Sequence, residues 1–485
     1  MREQLLAYVN QKGTLLEPGA ISYLLSQQDP LARLDRLFRT LSTPPLVITL
    51  KDFLRAEDAA AHAAASISLP VPEVTAAFRR ESGEAREFDP QVKILRDITG
   101  QSTCEGTIED FTRYFRRRFE VLSKFLASRR EFAGAPEIAK AKRSSREVRF
   151  VAMVSEVRTT RKGHRILDVE DAGDRISVLL PADSTLAADP VVPDEVLGIT
   201  GTVNEKGLVI AQSLVRPDVP VARPFPAGKD HVRVAFLSDI HVGSRTFLES
   251  KWERLKAWLQ DGDEVARSIR YVVVSGDVVD GIGVYPNQDA ELLVDDIYLQ
   301  YEALARHLSG LPDHLTLIMI PGNHDAVRPA EPQPALPPSI QKLFDSNVIF
   351  AGNPALLDIS GIRILAYHGR SMDDLVSGIR GMSYHRPVEV MKAMLRMRHL
   401  APIYGGKTPI APEAEDHLII HDVPDVFVTG HVHSVGVDEY RGVTLVNAST
   451  WQAQTPFQKM HNIEPMPARV PILDLATGQT VVRPF

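Results

Sequence analysis

Cysteine is almost missing: Cys104 stands alone in 485 residues. One thiol cannot close an internal disulfide, and it cannot build a multi-thiolate zinc site. Long apolar runs are missing too, and none approaches the ~20 residues that span a bilayer. The first residues, Met-Arg-Glu-Gln, lack the basic region and apolar run of a signal peptide. A cytoplasmic protein with no membrane attachment is the expectation. Excess positive charge is also absent, since the formal net charge is −7. A protein that grips duplex DNA alone is usually basic, because affinity comes largely from neutralising phosphates. Either the substrate is not nucleic acid, or local basic patches and a partner supply the grip.

What is present reads as globular and multidomain. A 44% hydrophobic and 24% charged composition suits packed cores, and the length exceeds one ordinary domain. Residues 1–65 read as a helical module. Leu5, Leu6 and Val9 share a face, as do Ile21, Leu24 and Leu25, and Leu31, Leu34, Leu37, Phe38 and Leu41 suggest a third helix ended by Thr43-Pro44-Pro45. Protein contact is its expected use. Residues 66–90, with Pro70, Pro72 and Gly83, read as a linker.

Residues 91–146 read as a connecting strand and a basic amphipathic helix. Thr107-Ile-Glu-Asp110 has the form of a capping box. Phe111, Tyr114, Phe115, Leu122, Phe125 and Leu126 then recur at helical spacing, as a core stripe. From Arg113 to Arg149 there are 12 Lys or Arg against 4 Asp or Glu. A solvated face is the ordinary meaning of such a run, and DNA contact the sharper one. Residues 147–220 offer five short strands, at 148–157, 164–169, 175–180, 196–203 and 207–215, with a short helix at 183–188. That pattern fits an OB-fold β-barrel. Barrels that bind single strands expose aromatics, and this one offers almost none beyond Phe150, so a scaffolding barrel is favoured. A proline-rich link, 216–229, precedes a layered α/β domain at 231–485.

In that last domain, buried strands run directly into polar clusters, where ligand sites of layered α/β folds lie. The clusters are Asp239-Ile-His241, Gly276-Asp277-Val-Val-Asp280, Gly322-Asn323-His324-Asp325, His368 within Ala366-Tyr-His-Gly369, and Thr429-Gly-His431-Val-His433. Singly each is weak: a lone histidine is more often core or surface than ligand, and Gly-Asn favours turns. Together they supply two carboxylates, an amide and four imidazoles. Mixed oxygen and nitrogen ligation suits manganese, the expected ion, or iron or zinc, and a pair of such ions suits phosphoryl chemistry. Two cations clamp and neutralise an anionic phosphodiester and acidify a water between them. Asp277 is the natural bridging carboxylate. His324 is the candidate to donate a proton to, or stabilise charge on, the leaving oxygen, and Asp280 is placed to orient it.

This set resembles the calcineurin-like metallophosphoesterase superfamily, whose motifs are matched in order. The resemblance implies layered β-sheets flanked by helices. It implies one divalent ion held by Asp239, His241, Asp277 and His433, and a second held by Asp277, Asn323, His368 and His431. A narrower resemblance covers nearly the whole chain. A barrel ahead of a phosphoesterase domain is the layout of the B-subunits of replicative DNA polymerases. Val92-Lys-Ile-Leu-Arg-Asp-Ile-Thr-Gly100, Ser102-Thr-Cys-Glu-Gly-Thr-Ile-Glu-Asp-Phe111, Arg398-His-Leu-Ala-Pro-Ile-Tyr-Gly-Gly-Lys-Thr-Pro409 and Thr450-Trp-Gln-Ala-Gln-Thr-Pro-Phe-Gln-Lys459 look like the small subunits of archaeal family D DNA polymerases. That family role implies 3′→5′ exonuclease proofreading, preferring single-stranded 3′ ends, beside a large catalytic subunit that holds the DNA.

The competing readings are a phosphoesterase for a small molecule or phosphoprotein, and a non-catalytic assembly subunit. Between the fourth and fifth motifs, residues 380–407 carry Arg380, Arg386, Lys392, Arg396, Arg398 and Lys407 against one acid, Glu389. These are the candidate DNA contacts, with an ordinary solvated insertion as the alternative.

Overall fold

The computed structural model describes residues 2–12, 14–25, 29–40, 47–48, 84–144, 147–221, 224–228, 231–460 and 462–485. The chain forms two compact units, Met1–Ala77 and Phe78–Phe485. In the first unit, α1 (Arg2–Gln11), α2 (Pro18–Leu25) and α3 (Pro30–Thr40) enclose Leu5, Val9, Ile21, Leu24, Leu34 and Leu37. Pro18 opens α2, where its missing N–H costs nothing. Leu25, expected on the apolar face, is exposed. A short parallel pair, β1 (Leu15–Leu16) with β2 (Val47–Ile48), is a feature the helical periodicity does not signal. Leu41, the expected stop at Thr43-Pro44-Pro45 and residues 66–83 of the expected linker lie outside the described residues.

The second unit begins before the expected linker ends. Ala85 is fully buried in a core shared with strands far along the chain. The strand β3 (Val92–Arg96) is not a mere connector, because it pairs with Ala355–Ile359 of the C-terminal domain. Helix α4 (Ile108–Ala127) opens with the expected capping box: Thr107 Oγ1 accepts from the Asp110 amide, and the Asp110 carboxylate accepts from the Thr107 amide. Its stripe is core, with Tyr114, Leu122 and Leu126 buried. Its basic face is partly internal. Arg118 is fully buried, donating to Asp416 at 2.8 Å and to the Pro402 carbonyl at 2.6 Å. A short helix, α5 (Ile138–Ala141), leads into a closed barrel.

The barrel comprises β4 (Glu147–Thr159), β5 (Arg165–Glu170), β6 (Arg175–Leu180), β7 (Val196–Val203) and β8 (Val209–Val215), paired in the order β4-β5-β6-β8-β7. Along β4 burial alternates from Glu147 to Val154, the period-two signature of a strand with one face inside. Phe150 points inward and is fully buried, so it offers no stacking surface. The short helix expected at 183–188 is a single 3₁₀ turn, Thr185–Ala187.

The C-terminal domain is two stacked sheets. One is built from β9 (Arg233–Leu237), β10 (Ile269–Ser275), β11 (Thr316–Ile320), β12 (Val348–Phe350), β18 (Arg469–Asp474) and β19 (Thr480–Pro484), in the order β12-β11-β10-β9-β18-β19. The other joins β3 to β13 (Ala355–Ile359), β14 (Ile362–Ala366), β15 (Val426–Thr429), β16 (Gly436–Tyr440) and β17 (Val443–Asn447), in the order β16-β17-β15-β14-β13-β3. In β10 every residue is buried because both faces are covered. Tyr271 and Val273 meet Ile364 and Val428 between the sheets. Val272 and Val274 turn outward to Trp252 and Tyr301, on helices α6 (Glu249–Asp261) and α8 (Ile297–Ser309), which flank the short α7 (Glu264–Ser268). A single turn, α9 (Pro338–Gln341), precedes β12. The second sheet is covered by Leu375 on α10 (Met372–Gly378) and Met391 on α11 (Pro387–Met397). No helix among the described residues is long and apolar enough to cross a membrane.

Candidate metal centre

Five strands aim their C-terminal ends at one rim. In the first sheet β9, β10 and β11 are parallel neighbours, and in the second β14 and β15 are. Loops leaving parallel strands emerge on one edge, so stacking the sheets gathers all five loops. Asp239 and His241 follow β9, Asp277 and Asp280 follow β10, Asn323 and His324 follow β11, His368 follows β14, and His431 and His433 follow β15.

The turns are sharp. Asp239, His241, Asp277, His431 and His433 all take positive φ, between 49° and 69°. Non-glycine residues enter that region at a steric cost, and such outliers concentrate at functional sites. The motif glycines have a complementary reason. A Cβ on Gly322 would strike the Asp277 carboxylate, and one on Gly430 would strike Ser238 and Asp239.

Three groups of donor atoms result among the described residues, each spanning no more than 4.8 Å: Asp239, His241 and His433; Asp277, His368 and His431; and His241, Asp280 and His324, which shares His241 with the first. In the first, His433 Nε2 lies 3.2 Å from Asp239 Oδ1, and His241 Nε2 lies 3.1 Å from His433 Nε2. In the second, His368 Nε2 lies 3.2 Å from Asp277 Oδ2 and 3.1 Å from Asn323 Oδ1. The clusters are linked, because Asp239 Oδ2 accepts from the His431 amide at 2.8 Å. Among the described residues, Asp239 Oδ1 is buried with no well-aligned hydrogen bond. Two imidazole nitrogens and a carboxylate oxygen converging on one point are a donor set that fits a cation once the imidazoles are deprotonated.

The outward ring nitrogens are held. His241 Nδ1 meets Asp280 Oδ1 at 3.0 Å, His368 Nδ1 meets the Ser275 carbonyl at 2.8 Å, and Gln458 Nε2 lies 2.8 Å from His433 Nδ1. The Asp280 and Ser275 oxygens accept from Nδ1 and leave Nε2 free to face a metal, whereas the Gln458 amide nitrogen donates to His433 Nδ1 and orients that ring without setting that tautomer. Here one expectation is corrected. The Asp280 carboxylate serves His241; His324 is held through the Asp280 backbone, its Nδ1 2.7 Å from that carbonyl. His324 Nε2 is left facing Asp277 Oδ2 at 3.9 Å.

Burial opposes charge throughout, and the neighbours decide the outcome. For His241, its contacts with the accepting Asp239 and Asp280 carboxylates, with the charges of Asp280 and Asp277, outweigh burial, raising it to about 10. For His368, burial is outweighed by Asp277, raising it to about 9. For His433 and His324 burial prevails and both are lowered. Asp277 resists burial through the charges of His368 and His324 and is held far below the ordinary carboxylate range. Asp325, buried and repelled by Asp277, is pushed up to about 6 while it accepts from the Gly322 and Val278 amides. Asp373 lies 3.4 Å from His431 Nε2, and that imidazole, against burial, draws it down to about 2.

The candidate DNA contacts scatter. Arg380, Arg386 and Lys407 are exposed. Lys392 is paired with Glu389 and Asp438, at 2.9 and 2.6 Å. Lys392 and the part-exposed Arg396 line a groove shared with Pro190 and Arg216 of the barrel segment. Arg398 is corrected outright. It is only 5% exposed, donates to the Ile420 and His421 carbonyls, stacks over Phe125, and burial lowers it to about 10.

Sequence reasoning missed the supporting amides. Gln458 holds His433, and Gln452 Nε2 donates to Asp280 Oδ1 at 3.0 Å. Both lie in the 450–459 stretch, whose run of glutamines just after a buried strand was the available signal.

The family of DNA polymerase alpha/epsilon B-subunits matches residues 234–435. The DNA polymerase II small subunit of Archaeoglobus fulgidus is 45% identical, over 79% of this chain and 78% of its own. That of Methanocaldococcus jannaschii is 44% identical, over 81% of this chain and 68% of its own. That of Halobacterium salinarum is 36% identical, over 98% of this chain and 97% of its own. A solved archaeal phosphodiesterase overlaps 52% of this chain and 99% of its own at 13% identity, with a TM-score of 0.27, too low to argue from. The chain belongs to the DNA polymerase II small subunit family.

Proposed function

We propose that this subunit removes nucleotides from DNA 3′ ends by two-metal phosphodiester hydrolysis, as the proofreading partner of a large polymerising subunit. The observation that carries the reading is the convergence of Asp239, His241, Asp277, Asn323, His368, His431 and His433 on one rim, with Asp239 Oδ1 unsatisfied. A subunit kept only for assembly has no use for such a donor set. Membership of the polymerase family points to DNA over a small molecule or phosphoprotein.

Divalent ions, manganese first, with iron or zinc as alternatives, would be held with Asp277 shared between the clusters. When bound, such a pair supplies charge neutralisation at the phosphate and a hydroxide nucleophile near neutral pH. The chain's own groups do the rest. Asp280, Ser275 and Gln458 keep the ligating imidazoles turned inward. His324 hydrogen-bonds the Asp280 carbonyl through Nδ1, so that nitrogen carries the hydrogen and Nε2 is the end presented to the leaving oxygen. Only the imidazolium form can donate from Nε2, and because burial lowers this group the donating fraction grows as pH falls.

We read the barrel at 147–220 as an OB-fold, because its strand order, first-second-third-fifth-fourth, and closure by a parallel pair, β6 with β8, are those of that fold. Residues 1–65 are read as a protein-contact module, and 231–485 as the hydrolytic domain, with 91–146 joining it. The test is cleavage of 5′-labelled DNA with single-stranded, mismatched and fully paired 3′ ends, after loading with manganese. Stepwise shortening, fastest at unpaired ends, supports the proposal. No cleavage, by the chain or by its complex with the large subunit, defeats it.

A further inference from the structure

One side of the rim is aromatic and apolar. Tyr285 lies with its ring centroid 6.2 Å from that of His324, and Phe457 lies 5.6 Å from Tyr285 with planes only 33° apart. Phe457 is 41% exposed, and Ile282, Val284 and Met460 are exposed in the same two segments. The Tyr285 hydroxyl is tied to Glu291 at 3.2 Å, which fixes the ring. Phe457 is fixed by its place in α12 (Pro456–Met460), beside the Gln458 that holds His433.

The charge around this face selects its occupant. Residues 281–296 carry Asp289, Glu291, Asp295 and Asp296 and no Lys or Arg. A polyanionic backbone is repelled from such a loop, whereas a flat uncharged group is not. Near His431 and Asp373, by contrast, lies the exposed Lys407, whose charge reaches Asp373 and suits the backbone. The barrel cannot serve the bases, since Phe150 is inside it.

We infer that Tyr285 and Phe457 form a stacking platform for the base of one nucleotide flanking the scissile phosphate, with the acidic loop stopping the strand beyond it. This rests on the nuclease reading for its substrate class. It adds a reason for attack at an end: a strand cannot continue past Asp289 and Glu291. It also adds a reason for preferring unpaired ends, because a base must leave its partner to lie on the platform.

The test needs no metal. The full chain, in EDTA, is titrated into a short single-stranded oligonucleotide ending in 2-aminopurine, whose fluorescence falls on stacking. Wild type is expected to quench it. Phe457→Leu and Tyr285→Leu, which keep apolar bulk but remove the ring, are expected to bind on the order of tenfold more weakly, as base–aromatic stacking implies. An oligonucleotide with an abasic 3′ nucleotide should bind wild type and variants alike. Equal binding of the 2-aminopurine end by all three proteins, or no quenching by wild type, overturns the platform. Failure of the nuclease reading would instead appear as intact quenching with no cleavage once manganese is added. If the leucine variants quenched normally but no longer co-purified with a large subunit, the face would be a protein contact.

Discussion

The Asp280 carboxylate meets His241 Nδ1 at 3.0 Å, and the imidazole is thereby turned so that Nε2 faces Asp239 and His433. Outer partners of this kind typically carry 10–100-fold in metal affinity. Asp280→Ala should therefore weaken one ion by about that factor, as read by competition with a metal indicator. Unchanged affinity with a lowered rate would return Asp280 to the role of serving His324 alone.

On the proposed role, in which His324 Nε2 serves the leaving oxygen and not a metal, His324→Ala should keep both ions. Loss of a positioned proton donor costs about 10²–10⁴-fold in rate. Asp277→Asn, which weakens the carboxylate we propose to be shared by both ions, should lose metal and activity together. Metal stoichiometry measured beside cleavage rate separates the two. A His324→Ala protein as depleted of metal as Asp277→Asn would falsify the division of roles.

Without metal, His241 is raised to about 10 and His368 to about 9, so both carry a proton at neutral pH. A cation must displace those protons. Affinity should climb as pH rises from 6 towards 9–10. Calorimetry at pH 7.5, in buffers of different ionisation enthalpy, should count roughly two protons released per chain on full loading. Loading with no proton release would contradict the assignment of these imidazoles as ligands.

Arg398 and Arg396 should behave oppositely. Arg398→Ala strands two carbonyls and empties the space over Phe125, a loss on the order of 2–3 kcal/mol in urea unfolding. Arg396→Ala should change stability by less than about 0.5 kcal/mol. If Arg396 meets a phosphate, its removal flattens the salt dependence of DNA binding by about one unit of slope. A stable Arg398→Ala protein with weakened DNA binding would reverse the assignment.

The fully buried pair Arg118–Asp416, with Tyr114 and His399 bonded to the same carboxylate, clamps α4 to the C-terminal domain. Removing one partner, as in Arg118→Ala, should cost about 3–5 kcal/mol, because it leaves a buried charge unpaired. Arg118→Met with Asp416→Leu should recover part of that. Asp416 is held far below its ordinary value, against burial, by His399 and Arg118. Its contribution is complete at neutral pH, above the unfolded carboxylate value, and is lost as pH falls towards the folded one.

The rim was legible in the sequence because each cluster directly follows a buried strand, and parallel strands leave their loops on one edge. The barrel strands were legible from alternation, as in β4. Distant pairings left no such local mark. The carboxylate of Asp280 cannot be told from its carbonyl in a motif, and both look able to serve His324. Arg398 looked like part of a basic run because charge is counted along the chain, whereas its burial comes from Phe125 and the Ile420 and His421 carbonyls. Gln452 and Gln458 reach Asp280 and His433 across 172 and 25 positions of chain.

The pairing of β3 with β13 makes the barrel a parenthesis. The two-sheet domain opens at Val92, is interrupted by the barrel, and resumes at β9, so the barrel is tethered at both ends and cannot swing as a pendant module. A fragment cut to residues 231–485 would leave Ala355–Ile359 as a bare, largely apolar edge. Unpaired edges of that kind recruit other chains. Trimming should begin upstream of Ala85.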